Sequence, residues 1–166
     1  LISEGITYRS IKDADLPFLK EVYASTREEE MGMLVQWSEA EKEAFIDQQF
    51  GSQHSHYQTH FGDGNFDVIL QGEVKVGRLY LRENEAEILI IDIAILSKYR
   101  RQGIGNFILK NIIEEAFQKK KPVKIHVEKN NPALSLYYRL GFKAIEDKGV
   151  YLYMEKSYEG SISKKS

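Results

Sequence analysis

Apolar and polar positions change period several times along the chain, and each change marks an expected element. Ile6, Tyr8 and Ser10 alternate with Thr7, Arg9 and Ile11, which predicts a short strand. It stops where Asp13 can cap a helix running through Leu16, Leu19, Val22 and Tyr23, with Pro17 in the first turn, where proline is tolerated. Ser38 followed by Glu41 has capping-box spacing, and Phe45, Ile46, Gln49, Phe50 and Tyr57 then recur at helical spacing toward His60. Gly62-Asp63-Gly64-Asn65 breaks that helix. Two β-rich runs follow, Phe66 to Leu70 and Val74 to Arg82, joined around Gln71-Gly72-Glu73 as a hairpin.

The run from Glu85 to Leu96 is apolar on both faces apart from Asp92, as a buried central strand requires. From Gly103 the period turns helical: Ile104, Phe107, Ile108, Ile112 and Ala116 form one stripe, ending in Lys119-Lys120-Lys121, which suit a helix C-terminus. Val123 to Val127 is the next strand. Pro132 to Leu140 is a short helix opened by Asn130 or Asn131, and Gly141-Phe142 leads into two strands turning at Asp147-Lys148-Gly149. The expected order is β-α-α-β-β-β-α-β-α-β-β, with no internal repeat.

At 166 residues the chain suits one domain with a real core, expected over residues 1–156 and followed by a frayed polar tail over 157–166. Hydrophobic residues at 42% and charged residues at 29% exclude a disordered or fibrous protein. A formal charge of −2 supplies no general pull toward nucleic acid or membrane, so neither is an expected partner. The absence of cysteine removes disulfide scaffolds, cysteine-ligated zinc and thiol nucleophiles together. No run has the apolar length of a membrane span or signal peptide, so a cytoplasmic location is the expectation.

Candidate chemistry centres on Lys98-Tyr99-Arg100-Arg101-Gln102-Gly103-Ile104-Gly105-Asn106, between a buried strand and a helix. Two glycines and free amides at a helix N-terminus form an anion cradle, to which Lys98, Arg100 and Arg101 add positive charge; a plain tight turn with solvated cations is the alternative. Neither common nucleotide fingerprint fits. No Gly-Lys-Ser or Gly-Lys-Thr occurs, and Ile108 stands where a dinucleotide fold wants its third glycine.

Arg100-x-x-Gly103-x-Gly105 after a hydrophobic strand, followed later by Asn131, Pro132, Ala133, Tyr137, Gly141 and Phe142, resembles the two signature segments of the GNAT superfamily of N-acetyltransferases. The resemblance implies an α/β (α+β) fold: a mixed, mostly antiparallel central sheet of about seven strands with about four helices. It implies acetyl-CoA as cosubstrate, with its pyrophosphate on the amides from Arg101 through Gln102, Gly103, Ile104 and Gly105 to Asn106 and its pantetheine arm paired with the main chain at Ile93 and Ile95. Either Asn130, at the family's usual spacing from the tyrosine, or Asn131, in the Asn-Pro-Ala variant, would contact the cofactor. The implied activity is acetyl transfer to a primary amine, on a small molecule or a peptide, by direct attack in a ternary complex; dimers are common among look-alikes. A non-catalytic acyl-CoA-binding or sensing domain is the alternative, and a structural or partner-binding domain a weaker third.

Under the resemblance Tyr137 serves the leaving thiolate; otherwise it packs on a helix face beside Tyr138. A phenol near pKa 10 facing a thiol near 8.5 is a donor unfavourable by about 2 kcal/mol for full transfer, which points to a hydrogen bond. The acceptor ammonium must lose a proton before attack, and Asp92 and Glu87 are the candidate bases, directly or through water. Asp92 could equally tie down a neighbouring loop. Acceptor selectivity would lie in the first two helices and their connection. There Glu28, Glu29 and Glu30 beside Trp37, with Gln49, Gln53, His54 and Tyr57, could attract a cationic amine or form an ordinary solvated face. His56 and His60 have i, i+4 spacing but no matching acidic ligand pattern, so no metal is expected.

Overall fold

In the computed structural model, which describes residues 5–158, seven strands form one sheet. They are β1 (Ile6–Ser10), β2 (Asn65–Gln71), β3 (Val74–Glu83), β4 (Ile88–Ile95), β5 (Val123–Glu128), β6 (Lys143–Lys148) and β7 (Tyr151–Lys156). Their spatial order is β1-β2-β3-β4-β5-β7-β6, antiparallel throughout except for the β4–β5 pair. The helices are α1 (Leu16–Thr26), α2 (Glu28–Gly32), α3 (Glu39–His60), α4 (Ile104–Lys119) and α5 (Leu134–Arg139). The tail expected over 157–166 lies outside the described residues from 159 onward.

Five helices stand where about four were expected. The addition, α2, is a single turn of glutamates and Met31-Gly32, too short to show an apolar period; its three acidic residues sit where the helix dipole favours negative charge. Three boundaries also move. The helix assigned to an Asp13 cap starts at Leu16 after a 3-10 turn over Asp13–Asp15. β4 begins at Ile88 rather than Glu85, because the Asn84 side chain accepts the amides of Ala86 and Glu87 at 2.8 and 3.0 Å and closes a turn. α5 begins at Leu134, with the Asn131 side chain accepting from the Ala133 amide at 2.8 Å.

Helices cover both faces of the sheet. On one, Ile104, Ile108, Leu109 and Ile112 of α4 pack with Ile69, Leu79, Ile88, Ile90 and Ile125 of the strands, all buried. On the other, Leu19 and Tyr23 of α1 pack with Ile46 and Phe50 of α3, and Tyr57 meets Tyr80 of β3 edge-on at 5.9 Å. Strict alternation along β4 would turn Asp92 to the same side as Ile88 and Ile90. It does not, because Leu81 pairs with Ile90 while Tyr80 pairs with Asp92, so Ile91 is an extra residue. That bulge returns Ile93 to the α4 core and aims Asp92 at α3. Among the described residues no helix is long and apolar enough to cross a membrane.

Asp15 fastens the start of α1 to the sheet. Only 1% exposed, it takes two hydrogen bonds from Arg9 of β1 at 2.9 and 3.0 Å, one from Lys75 of β3 at 2.8 Å and one from the Lys12 amide at 2.8 Å. Above all the Arg9 hydrogen bonds, then those of Lys75 and Lys12, hold its carboxyl well below the usual range against the opposing effect of burial. Folding lowers this pKa, so the stabilisation is complete above the unfolded value of about 4 and is lost as pH falls below it. Asp15→Asn should cost about 2 to 3 kcal/mol at neutral pH, with the gap to the parent narrowing in urea melts below about pH 4. A gap that stays constant across that range would show that the charge of Asp15 is not what matters.

Candidate functional site

β4 and β5 pair only from Ile88 to Ile90 with Val123 to Ile125, and beyond that point they part. The Leu96 amide donates to the Val76 carbonyl on the β3 side at 2.8 Å, so alternation turns the amides and carbonyls of Ile93 and Ile95 toward the opening. The gap is thus edged by polar backbone without a strand partner, which an extended chain can pair with. At Ile95 the carbonyl accepts from Arg100 Nε at 2.8 Å.

The strand leads through a 3-10 turn over Ser97–Tyr99 into the N-terminus of α4. Arg101, at φ +62°, and Gly103, at φ +85°, both take the left-handed region that bends the chain under the helix end. Gly103 is the cap residue and has no side chain to fill it, so the first-turn amides of Ile104, Gly105 and Asn106 lack a capping partner. The segment read as an anion cradle thus has a left-handed glycine cap without a side-chain hydrogen bond. Its cationic edge is narrower than expected: Arg100 turns away to the Ser25 carbonyl and hydroxyl of α1, at 3.2 and 3.1 Å, leaving Lys98 and Arg101 exposed. Gln102 bonds weakly to the Lys98 carbonyl at 3.4 Å. An open cavity of about 200 Å³ between α1 and this edge is lined by Ser25, Glu28, Ser97 and Lys98, among others.

Tyr137 is 4% exposed on α5, edge-on to Phe142 at 5.6 Å. Burial, and then the charge of Asp92, push its phenol pKa above the ordinary value, which places the two groups within electrostatic reach. Asp92 is held hard: its Oδ2 accepts from Arg78 Nη2 at 2.7 Å and from the Tyr57 hydroxyl at 3.1 Å, while the same Arg78 nitrogen donates to Gln53 at 2.7 Å. Arg78 is only 2% exposed, and a cation so buried requires its carboxylate. Asp92 therefore ties β4 to the neighbouring strand β3 and to helix α3, where the structural alternative expected a loop.

Glu87 is not brought to this place. It precedes β4, at the end away from the cradle, and pairs with Lys124 at 3.0 Å and Arg82 at 3.5 Å. Arg78 was missed by the sequence reading, although a charge inside the run Val74 to Arg82, next to a strand carrying Asp92, was a usable signal. The Asn131 side-chain carbonyl accepts from the Ala133 amide in the turn that leads into α5, while Asn130 is exposed.

The α1–α2 junction bridges the gap. Glu28 accepts from Ser97 after β4 at 3.4 Å, and Arg27 reaches Glu30 at 3.0 Å and Glu128, the last residue of β5, at 3.6 Å. Glu29 is exposed, and Trp37 packs edge-on against Phe45 at 5.6 Å in the α2–α3 connection. The rings of His56 and His60 lie 4.0 Å apart, and among the described residues no group of three metal-ligating side chains assembles.

The profile described as the acetyltransferase (GNAT) family matches residues 19–142. An N-alpha-acetyltransferase of Sulfurisphaera tokodaii is 33% identical over 60 residues, a match spanning 34% of this chain and 36% of that protein. Similar solved structures include the PaiA N-acetyltransferase of Thermoplasma acidophilum in complex with coenzyme A, at 21% identity and a TM-score of 0.68 over 92% of this chain and 99% of that one. The ribosomal-protein-S18-alanine N-acetyltransferase of Escherichia coli has 19% identity and a TM-score of 0.61, covering 92% and 94%.

A Cβ added at Gly105 would meet nothing within 4 Å beyond its chain neighbours and its own helix backbone, so a side chain there can crowd the expected cradle without disturbing the packing of the fold. Gly105→Val should melt within a few degrees of the parent yet lose the rise in melting temperature that coenzyme A produces by mass action. A folded Gly105→Val protein that keeps the full shift would place the anion elsewhere.

Proposed function

The chain belongs to the GNAT family of acetyltransferases, and from that membership we propose that it moves an acetyl group from acetyl-CoA to a primary amine, with both substrates bound together. The observation that carries this reading is the parting of β4 and β5 beside the uncapped N-terminus of α4. The pyrophosphate would lie on the amides from Arg101 to Asn106, and the pantetheine arm would pair with Ile93 and Ile95. Arg100 would then have to release the Ile95 carbonyl if the arm takes the same acceptor.

Tyr137 is proposed to stabilise the departing thiolate. Its raised pKa makes complete proton transfer to a thiol near pKa 8.5 more unfavourable than for a free phenol, so a hydrogen bond to the developing charge is the favoured role. Deprotonation of the amine is assigned to water near Asp92. Among the described residues none donates to the Oδ1 atom of Asp92, whereas Oδ2 is occupied by Arg78 and Tyr57. With no cysteine in the chain, direct attack in a ternary complex is the simplest transfer. The competing reading, an acyl-CoA-binding or sensing domain without turnover, draws on the same fact that Asp92 is tied to Arg78.

Thiol release from acetyl-CoA with a panel of primary amines separates the two readings, and double-reciprocal plots should intersect. Tyr137→Phe should lower kcat roughly 10- to 100-fold while leaving coenzyme A affinity within about twofold, because the buried ring is kept and one hydroxyl is lost. Unchanged turnover in a folded Tyr137→Phe protein, with chemistry limiting, would return the residue to a packing role. Coenzyme A binding without thiol release from any amine would favour the sensing domain.

A further inference from the structure

At the mouth of the gap, on the α1–α3 side of the sheet, lies a cation already lodged between an aromatic ring and two carboxylates. The guanidinium of Arg27 stands over the Tyr23 ring at 5.5 Å, 3.0 Å from Glu30 and 3.6 Å from Glu128. Glu128 is the last residue of β5, on the lip facing β4, and its side chain is 28% exposed. Tyr151, its register partner on β7, stands beside it, and the Glu128 charge adds to burial in raising the Tyr151 phenol pKa. Tyr151 is in turn within electrostatic reach of Tyr57, which hydrogen-bonds Asp92. Since Ile125 and Val127 face the α4 core, alternation puts Glu128 and its partner Tyr151 on the opposite side of the sheet, the side on which Tyr57 meets Asp92.

Charge is unevenly shared on this side. Arg78 pairs with Asp92, whereas among the described residues a single guanidinium, Arg27, serves both Glu30 and Glu128. The longer of its two contacts, to Glu128, is the one an incoming cation replaces with least loss. The reacting amine has to be neutral when it attacks, so the cation that docks here belongs to a second group on the same acceptor.

Resting on the acetyltransferase reading, we propose that Glu128, backed by Tyr151, docks a second ammonium of a di-cationic amine acceptor, which displaces Arg27 from Glu128. Glu128 thereby selects diamine-like acceptors over monoamines, and Arg27 holds the site in their absence.

Calorimetric titration of the coenzyme A-saturated protein with diaminobutane and with n-butylamine tests this without requiring turnover. The diamine should bind about 10-fold more tightly than the monoamine, and Glu128→Gln should remove most of that ratio while the coenzyme A melting shift stays unchanged. Arg27→Met should tighten diamine binding severalfold, because the internal competitor is gone. Equal affinity for the two amines, no diamine binding, or a ratio that survives Glu128→Gln in a folded protein overturns the proposal, as does weaker diamine binding in Arg27→Met. The acetyltransferase reading fails separately, through the absence of thiol release with any amine.

Discussion

One extra residue in the central strand governs how this molecule is arranged. Ile91 has no counterpart on β3, and the phase of the pleat changes there. Before it, Ile88 and Ile90 join the core under α4; after it, Ile93 packs against that core and Asp92 faces α3. Without the bulge, the carboxylate would be driven into the apolar layer, at a cost of several kcal/mol unless paired there. The pairing of β4 with β5 also ends just before the bulge, so the bend and the opening of the gap occur at the same point of the strand.

Polar contacts then use that change of face. Arg78 and Asp92 form a nearly buried pair, which is weak grounds for net stability but strong grounds for a defined position, since either partner alone would be stranded. Gln53 and Tyr57 extend the pair to α3, so the helix is held in register by hydrogen bonds as well as by Ile46 and Phe50. Among the described residues the Arg78 Nε and the Tyr80 hydroxyl have no hydrogen-bond partner beneath this network. The junction of α1 and α2 is fastened to both lips of the gap, through Glu28 to Ser97 and through Arg27 to Glu128. These contacts are longer and more exposed than those of Asp92, so they hold the segment less firmly.

Much of the architecture was legible along the chain because it rests on period and punctuation. The apolar stripe of α4, the hairpin of β2 and β3 and the capping box of α3 each have a local cause, and Ser38 and Glu41 do exchange the expected hydrogen bonds at 2.7 and 3.0 Å. Where a local signal competed with a distant one, the reading slipped. Asp13 had the spacing of a cap, but Asp15 is the residue that Arg9 and Lys75 hold from two other strands. Glu87 stood in the same apolar run as Asp92, yet a turn made by Asn84 keeps it off the strand and among cations.

The amino-acid sequence by itself determined the element order and the glycine-lined helix start after β4, since backbone conformation and apolar period act over a few residues. Tertiary structure alone decided which charges meet. The Asp92–Arg78 pair spans two strands, the Arg27–Glu128 contact joins residues far apart in the chain, and Arg100 is turned to Ser25 rather than to the cradle. Such partners depend on strand register and on the bulge at Ile91, and a shift of one residue turns a side chain to the opposite face of the sheet.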